Sequence, residues 1–194
     1  MMTEELSVQH RFERELQPIV DVAFRYAFRL TGNRDEAMDL VQDASLLAFK
    51  YFASYSPETN FRAWFLRILT NRFFRNRERA SKLATESLDA APDLYLYDRF
   101  KADGIPVDRE ESVASVFEKI NEEAVQAALA KLPEEYRVVA TLHLVSEMPY
   151  EEIAAVLEIP VGTVRSRLHR ARKQLQVHLW ELAQAYGITP KETQ

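Results

Sequence analysis

Arg165, Arg167, Arg170, Arg172 and Lys173 crowd into one short stretch with Ser166 and His169, and no acid lies among them. Guanidinium groups neutralise phosphates and pair bidentately with guanine in a major groove, while a hydroxyl or an imidazole reads base edges more loosely. The chemistry on offer is recognition of nucleic acid. It runs against the average of the chain, whose formal net charge is −5. A second basic run, Arg62, Arg67, Arg72, Arg75, Arg77, Arg79 and Lys82, contains a single acid, Glu78. Between the two runs, from Leu83 to Glu123, eleven acids stand against four cations. Two basic islands flanking an acidic middle point to polyanionic partners at two places.

Catalysis finds little support. The four histidines, His10, His143, His169 and His178, are scattered without metal-ligand spacing, and cysteine is absent. That leaves no disulfide framework, thiol nucleophile or cysteine-ligated zinc. No glycine loop suited to phosphate and no nucleophile with its base stand out. The expectation is therefore no enzyme, no catalytic residue, no metal ligand and no cofactor. The opening MMTEELSVQHRFEREL carries acids where a secretion signal needs an apolar core. No apolar run approaches the roughly 20 residues of a membrane span. A cytoplasmic protein without membrane insertion is expected.

The elements that must position these cations read as helices. A first stretch covers about Glu13 to Leu30, with Val20, Phe24 and Ala27 at helical spacing. Gly32 suits a helix stop, and Asn33 with Glu36 three positions on forms a capping-box pattern. The next helix, about Arg34 to Phe52, shows two apolar stripes (Met38, Val41, Ser45, Phe52 and Leu40, Ala44, Leu47, Tyr51), as in the middle of a small bundle. After the polar loop ASYSPETN a third helix runs from Phe61 to about Ala80; Trp64 lies beside Phe61 and Ile68 on its apolar arc and reads as core. Residues 81–119, with Pro92, Gly104 and Pro106 among the acids, read as a linker anchored only by Tyr95, Tyr97 and Phe100. Helices resume near Asn121. The fold class is all-α, in two small helical domains at 10–80 and 120–187.

On a wheel of 100° per residue, Val164, Leu168, Ala171 and Leu175 form the buried face of the last basic helix. Ser166, His169, Arg170 and Lys173 point the other way, with Arg165 on the flank. The preceding helix offers Ile153, Ala154 and Leu157 as a matching stripe, and Ile159-Pro160 separates the two. Two short helices, a tight break, and a cationic outer face describe a helix-turn-helix. A solvated amphipathic helix would explain one charged face, but not the missing acids, the break, or small Gly162 and Thr163 at the helix start.

YEEIAAVLEIPVGTVRSRLHRARKQL resembles region 4.2 of the extracytoplasmic-function sigma factors of bacterial RNA polymerase. RDEAMDLVQDASLLAFKYFASY is similar to their region 2.2, and NFRAWFLRILTNRFFRNRER to their regions 2.3 and 2.4. The resemblance implies an alternative sigma factor that directs promoter-specific initiation, with core polymerase (β′ and β subunits) and promoter DNA as partners. It implies docking on the β′ coiled coil through Met38, Asp39, Gln42 and Asp43. It implies −10 recognition by Ser56, Thr59 and Asn60 in a base-capturing loop and by Asn71, Phe74 and Arg75, with Arg72, Arg77 and Arg79 steering phosphates. The −35 contacts would come from Arg165, Ser166, His169 and Arg170, with Lys173 beside them. The acidic linker would thread toward polymerase surfaces built for polyanions, and an anti-sigma factor would hold the protein inactive. NFRAWFLRILTN with SRLHRARKQL resembles the branch that answers thiol-oxidative stress, whose anti-sigma proteins bind zinc. The competing reading is a helix-turn-helix regulator that binds duplex operator DNA without polymerase; it leaves the Arg62–Lys82 island unexplained.

Overall fold

The computed structural model describes residues 2–84 and 122–185. Within them lie eight α-helices in chain order: α1 (Met2–Leu16), α2 (Val20–Thr31), α3 (Arg34–Tyr51), α4 (Phe61–Ala84), α5 (Glu122–Ala130), α6 (Glu134–Leu144), α7 (Tyr150–Leu157) and α8 (Val161–Ala185). No strand occurs among the described residues. The helix expected from Glu13 to Leu30 is in fact two. Pro18 sits in a 3-10 turn, Gln17–Ile19, that separates α1 from α2; its ring removes a backbone donor and obstructs a continuous α-helix. The helix expected to stop near Ala80 continues to Ala84, so the segment predicted as linker begins inside α4. From residue 85 to 121 that linker, with its Tyr95, Tyr97 and Phe100, lies outside the described residues, as do residues 186 and 187 of the expected second domain.

Local signals do what their chemistry requires at the α2–α3 corner. Gly32 closes α2 at φ +71, donating its N–H to Phe28 O, a left-handed position where glycine has no Cβ penalty. Asn33 Oδ1 then accepts the Asp35 and Glu36 amides at 2.8 and 3.1 Å, satisfying two of the orphan donors of α3.

The first body packs α2, α3 and α4 around Tyr26, Leu30, Leu40, Phe65, Leu66 and Leu69, with Phe12 of α1 meeting Phe49, Phe52 and Phe61 edge to face. The face of α3 that packs is narrow and small: Ala37, Leu40, Ala44 and Ala48. Alanines let α2 and α4 approach closely, and the two-sided burial expected of α3 does not occur. Met38 is 54% exposed and Tyr51 52%, together with Leu46 and Phe49.

In the second body α8 packs on α5, α6 and α7. Val164, Leu168, Ala171 and Leu175 are buried, as are Ile153 and Ala154, and Leu157 is half-buried. The two bodies are not separate. Val138, Val139, Leu142, Met148 and Ile153 join the same buried cluster as Phe65 and Leu69. At the junction Arg137 donates to Leu30 O at the end of α2 (3.0 Å), and to Ala130 O and Leu132 O at the end of α5 (both 2.9 Å). Gln126 Nε2 donates to Phe28 O at 3.2 Å while its Oε1 accepts from Arg29.

Deep in the first body Tyr26 and Thr70 hydroxyls meet at 2.8 Å. Thr70 Oγ1 donates its only proton to Leu66 O at 2.7 Å, so Tyr26 is the donor between them. Burial raises the Tyr26 phenol far above its ordinary value, which keeps that proton in place. Tyr26→Phe is expected to cost about 0.5–1.5 kcal/mol, and Thr70→Val more, because it leaves a buried donor without an acceptor. In urea unfolding the double substitution should cost less than the two singles together.

Candidate nucleic-acid interface

The helix-turn-helix is built from α7, a two-residue turn with its cap, and α8. Glu158 caps α7 in the left-handed region at φ 55, and its N–H returns to Ala154 O. Ile159 N bonds the same carbonyl at 3.1 Å, and Pro160 O accepts from Thr163 N and Val164 N to open α8. A Cβ on Gly162 would meet nothing within 4 Å, so packing does not demand glycine there, although Val161 and Val164 on either side of it pack into the core.

On α8 the expected reading residues Arg165, Ser166, His169 and Arg170 are exposed, and Lys173 is half-buried. Ser166 Oγ donates to Thr163 O at 3.0 Å, and Arg170 Nη1 reaches Tyr136 OH at 3.2 Å. The other arginines of the run point back. Arg167 pairs with Glu135 of α6 at 2.7 Å, and Arg172 reaches His143 Nε2 and Tyr150 OH, both at 3.4 Å. Part of the basic run is therefore engaged with the fold, Arg167, Arg170 and Arg172 each reaching side chains of α6 or α7.

The first body presents the second basic island. Ser56, Thr59 and Asn60, in the loop between α3 and α4, are all exposed. The loop is tied to itself: Thr59 Oγ1 donates to Ser56 O at 2.7 Å, and Tyr55 OH donates to Thr59 O at 2.7 Å. Burial, aided by Glu15, raises the Tyr55 phenol and keeps it a donor. The Tyr55 ring stacks on Phe52 and, with Phe61, covers the half-buried Trp64, rings 5.2 and 5.5 Å apart. A short polar loop thus stands on an aromatic platform. Asn60 Oδ1 accepts from Ala63 N at 3.3 Å, capping α4. Along α4, Asn71, Phe74, Arg75, Arg77 and Arg79 are exposed.

Arg72 differs. Its Nε and Nη2 donate to Asp43 Oδ2 at 3.0 and 2.8 Å, joining α4 to α3. Sequence reasoning assigned these two residues to different partners, phosphate and polymerase; the fold brings them together. Met38, Asp39 and Gln42 stay exposed on the outer side of α3. Helical phase alone does not reveal a pair 29 residues apart.

Sequence reasoning also missed the acids that lie against α4 from the second body. Asn60 Nδ2 donates to Glu152 Oε2 at 3.4 Å, Arg67 pairs with Glu158, and Arg77 Nε pairs with Glu134 Oε1 at 2.6 Å. Arg67 and Glu158 are 45% and 64% exposed, so their pair contributes at most about 1 kcal/mol in water.

No cluster of His, Cys, Asp or Glu able to hold a metal, and no helix long and apolar enough to cross a membrane, is found among the described residues. The arrangement offers binding surfaces. A double-mutant cycle on Asp43→Ala and Arg72→Ala is expected to give a coupling of about 0.5–1 kcal/mol in the stability of the free chain. Zero coupling in denaturant unfolding would release both residues for external partners.

The comparisons agree with this geometry. The sigma-70 region 2 family matches residues 13–83, and sigma-70 region 4 matches residues 122–175. The chain is 34% identical over 164 residues to the ECF RNA polymerase sigma factor SigW of Bacillus subtilis, covering 84% of this chain and 85% of that protein. It is 35% identical over 159 residues to SigE of Mycolicibacterium smegmatis; the match takes 82% of this chain and 58% of that longer relative. Among solved structures it resembles the sigma factor RpoE of Bartonella quintana in complex with the anti-sigma factor NepR, at a TM-score of 0.67 and 25% identity, covering 87% of this chain and 96% of that one. CnrH, in complex with the cytosolic domain of CnrY, aligns at a TM-score of 0.60 and 25% identity, covering 88% of each chain. The chain belongs to the extracytoplasmic-function sigma factors of bacterial RNA polymerase.

Proposed function

We propose that the chain is an alternative sigma factor that docks on core RNA polymerase and directs promoter-specific initiation in the cytoplasm, acting by binding without catalytic chemistry of its own. The observation that carries the reading is the pairing of two exposed basic surfaces, one on each family-matched segment. The first body, residues 10–80, would bind polymerase and the −10 element; residues 120–187 would bind the −35 element; residues 81–119 connect them.

Each surface suits its target physically. Arg165, Ser166, His169 and Arg170, with Lys173 beside them, face outward from a helix that fits a major groove. Ser56, Thr59 and Asn60 offer short polar groups on a rigid aromatic base, which suits capture of an unstacked base. Asn71, Phe74 and Arg75 continue that surface along α4, with Arg77 and Arg79 for phosphates and Arg72 held back by Asp43. Exposed Met38, beside Asp39 and Gln42, gives α3 an apolar and acidic face of the kind a basic helical partner would cover.

RpoE of Bartonella quintana is solved in complex with an anti-sigma factor, and an anti-sigma partner covering the polymerase-binding face is proposed for this chain too. Membership of the thiol-oxidative branch rests on NFRAWFLRILTN and SRLHRARKQL. Since the chain has no cysteine, redox sensing would belong to the partner.

Reconstitution with core polymerase tests the reading: promoter-dependent transcription with core and weak duplex binding by the chain alone are expected. Tight, specific operator binding without polymerase would favour the regulator. Arg170→Ala is expected to weaken −35 recognition by about 1–3 kcal/mol if Arg170 pairs with guanine. Unchanged selectivity among −35 variants in a competition assay would remove that role.

A further inference from the structure

We infer that Phe12 is a positioning residue for base recognition at −10: from α1 it fixes the two ends of the loop 55–60 and the ring bed beneath it. The inference rests on the −10 reading proposed above. The loop leaves the 3-10 turn Phe52–Ser54 and returns to helix at Phe61, the first residue of α4. Phe12 meets the ring at each end, Phe52 at 5.3 Å and Phe61 at 6.1 Å, both edge to face. Those two rings stand 6.2 Å apart, again edge to face. Tyr55 lies against both, 5.7 Å from Phe52 and 5.2 Å from Phe61. Its hydroxyl donates to Thr59 O, so the bed and the loop move together.

Phe12 also anchors α1, and anchoring alone needs only an apolar contact. Val8, Phe12 and Leu16 recur four apart on one face of the helix, and of these Phe12 is the buried one. What exceeds anchoring is that neighbouring side chains of α1 address the same loop residues. The Arg11 guanidinium lies over the Phe52 ring, 5.8 Å from its centroid. Glu15, one turn along, adds to the rise in the Tyr55 phenol that burial begins. Phe49 meets Phe12 at 5.3 Å, so three rings enclose it. Interiors hold little spare volume, and the space left by a smaller side chain is closed in part by movement of its neighbours. Here those neighbours are Phe52 and Phe61, which carry the loop. A binding site has to be held to within about 0.5 Å. A shift of that size in the bed passes through Tyr55 to Thr59, and through the Thr59 Oγ1 bond to Ser56 O.

Full-length chains, native or carrying Phe12→Leu or Phe12→Ala, are assembled with core polymerase once circular dichroism shows them folded. Initiation is then measured on two promoter sets, one with single-base changes in the −10 element and one with changes in the −35 element. Phe12→Ala is expected to lower discrimination at the −10 base held by the loop by about tenfold, the order of one mismatched base pair, and to leave −35 discrimination as it was. Phe12→Leu keeps most of the volume and loses the ring edges; a loss of about threefold is expected, and it carries the test alone if Phe12→Ala does not fold. A purely structural residue would lower activity on every promoter by one common factor, with both discriminations intact. That result, or an equal loss of discrimination at both elements, overturns the positioning role. If the native holoenzyme itself shows no preference among −10 bases, the −10 reading fails, and the role of Phe12 fails with it.

Discussion

Two helices end at nearly the same place, and their carbonyls need donors. The last turns of α2 and α5 converge on Arg137, whose guanidinium bonds Leu30 O, Ala130 O and Leu132 O. A cation suits the negative ends of both dipoles, and half-burial makes each bond count for more than it would in water. Burial lowers the Arg137 pKa, an effect that Glu134 opposes and Arg77 reinforces; the guanidinium nevertheless keeps its charge. This one side chain ties α6 to the ends of both α2 and α5. Since α7 and α8 pack on α6, the position of α8 depends on it as well.

Much of the architecture was legible because local chemistry and tertiary packing agree. Gly32 and Asn33 announce the α2–α3 corner by conformational freedom and capping, and the structure uses both. The α8 wheel worked because its buried stripe is continuous over Val164, Leu168, Ala171 and Leu175. Periodicity misled where apolar residues serve the outside. Met38 and Tyr51 satisfy a helical stripe on paper, yet alanines carry the packing of α3. Pro18 marks the break between α1 and α2, but the apolar spacing that continues beyond it masks that signal. The long-range polar pairs had no local signature. Asp43 with Arg72, or Arg67 with Glu158, join residues brought near only by the packing of helices distant in sequence.

The division of the basic run on α8 follows the same logic. A run of cations in sequence is divided by what each side chain reaches rather than by helical phase, since Arg165 and Arg172 lie only about 20° apart around the axis. Arg167 and Arg172 turn toward Glu135, His143 and Tyr150, where they fix the helix on its support. Arg165 and His169 are exposed, and Arg170, exposed as well, reaches Tyr136 OH of α6. Rigidity of α8 depends on these contacts, so a charge count overstates the outward positive surface of the helix and understates how firmly the helix is held.

Charge segregation sets the competition between folding onto itself and holding a promoter. A chain of net charge −5 with two basic faces will place its own acids on those faces unless something better is present. The covalent link gives the internal acids an effective concentration of about millimolar order, well above that of any single promoter in solution. Each exposed pair is individually weak, about 1 kcal/mol or less, so the internal acids prevail by tethering and by the apolar cluster behind them rather than by affinity.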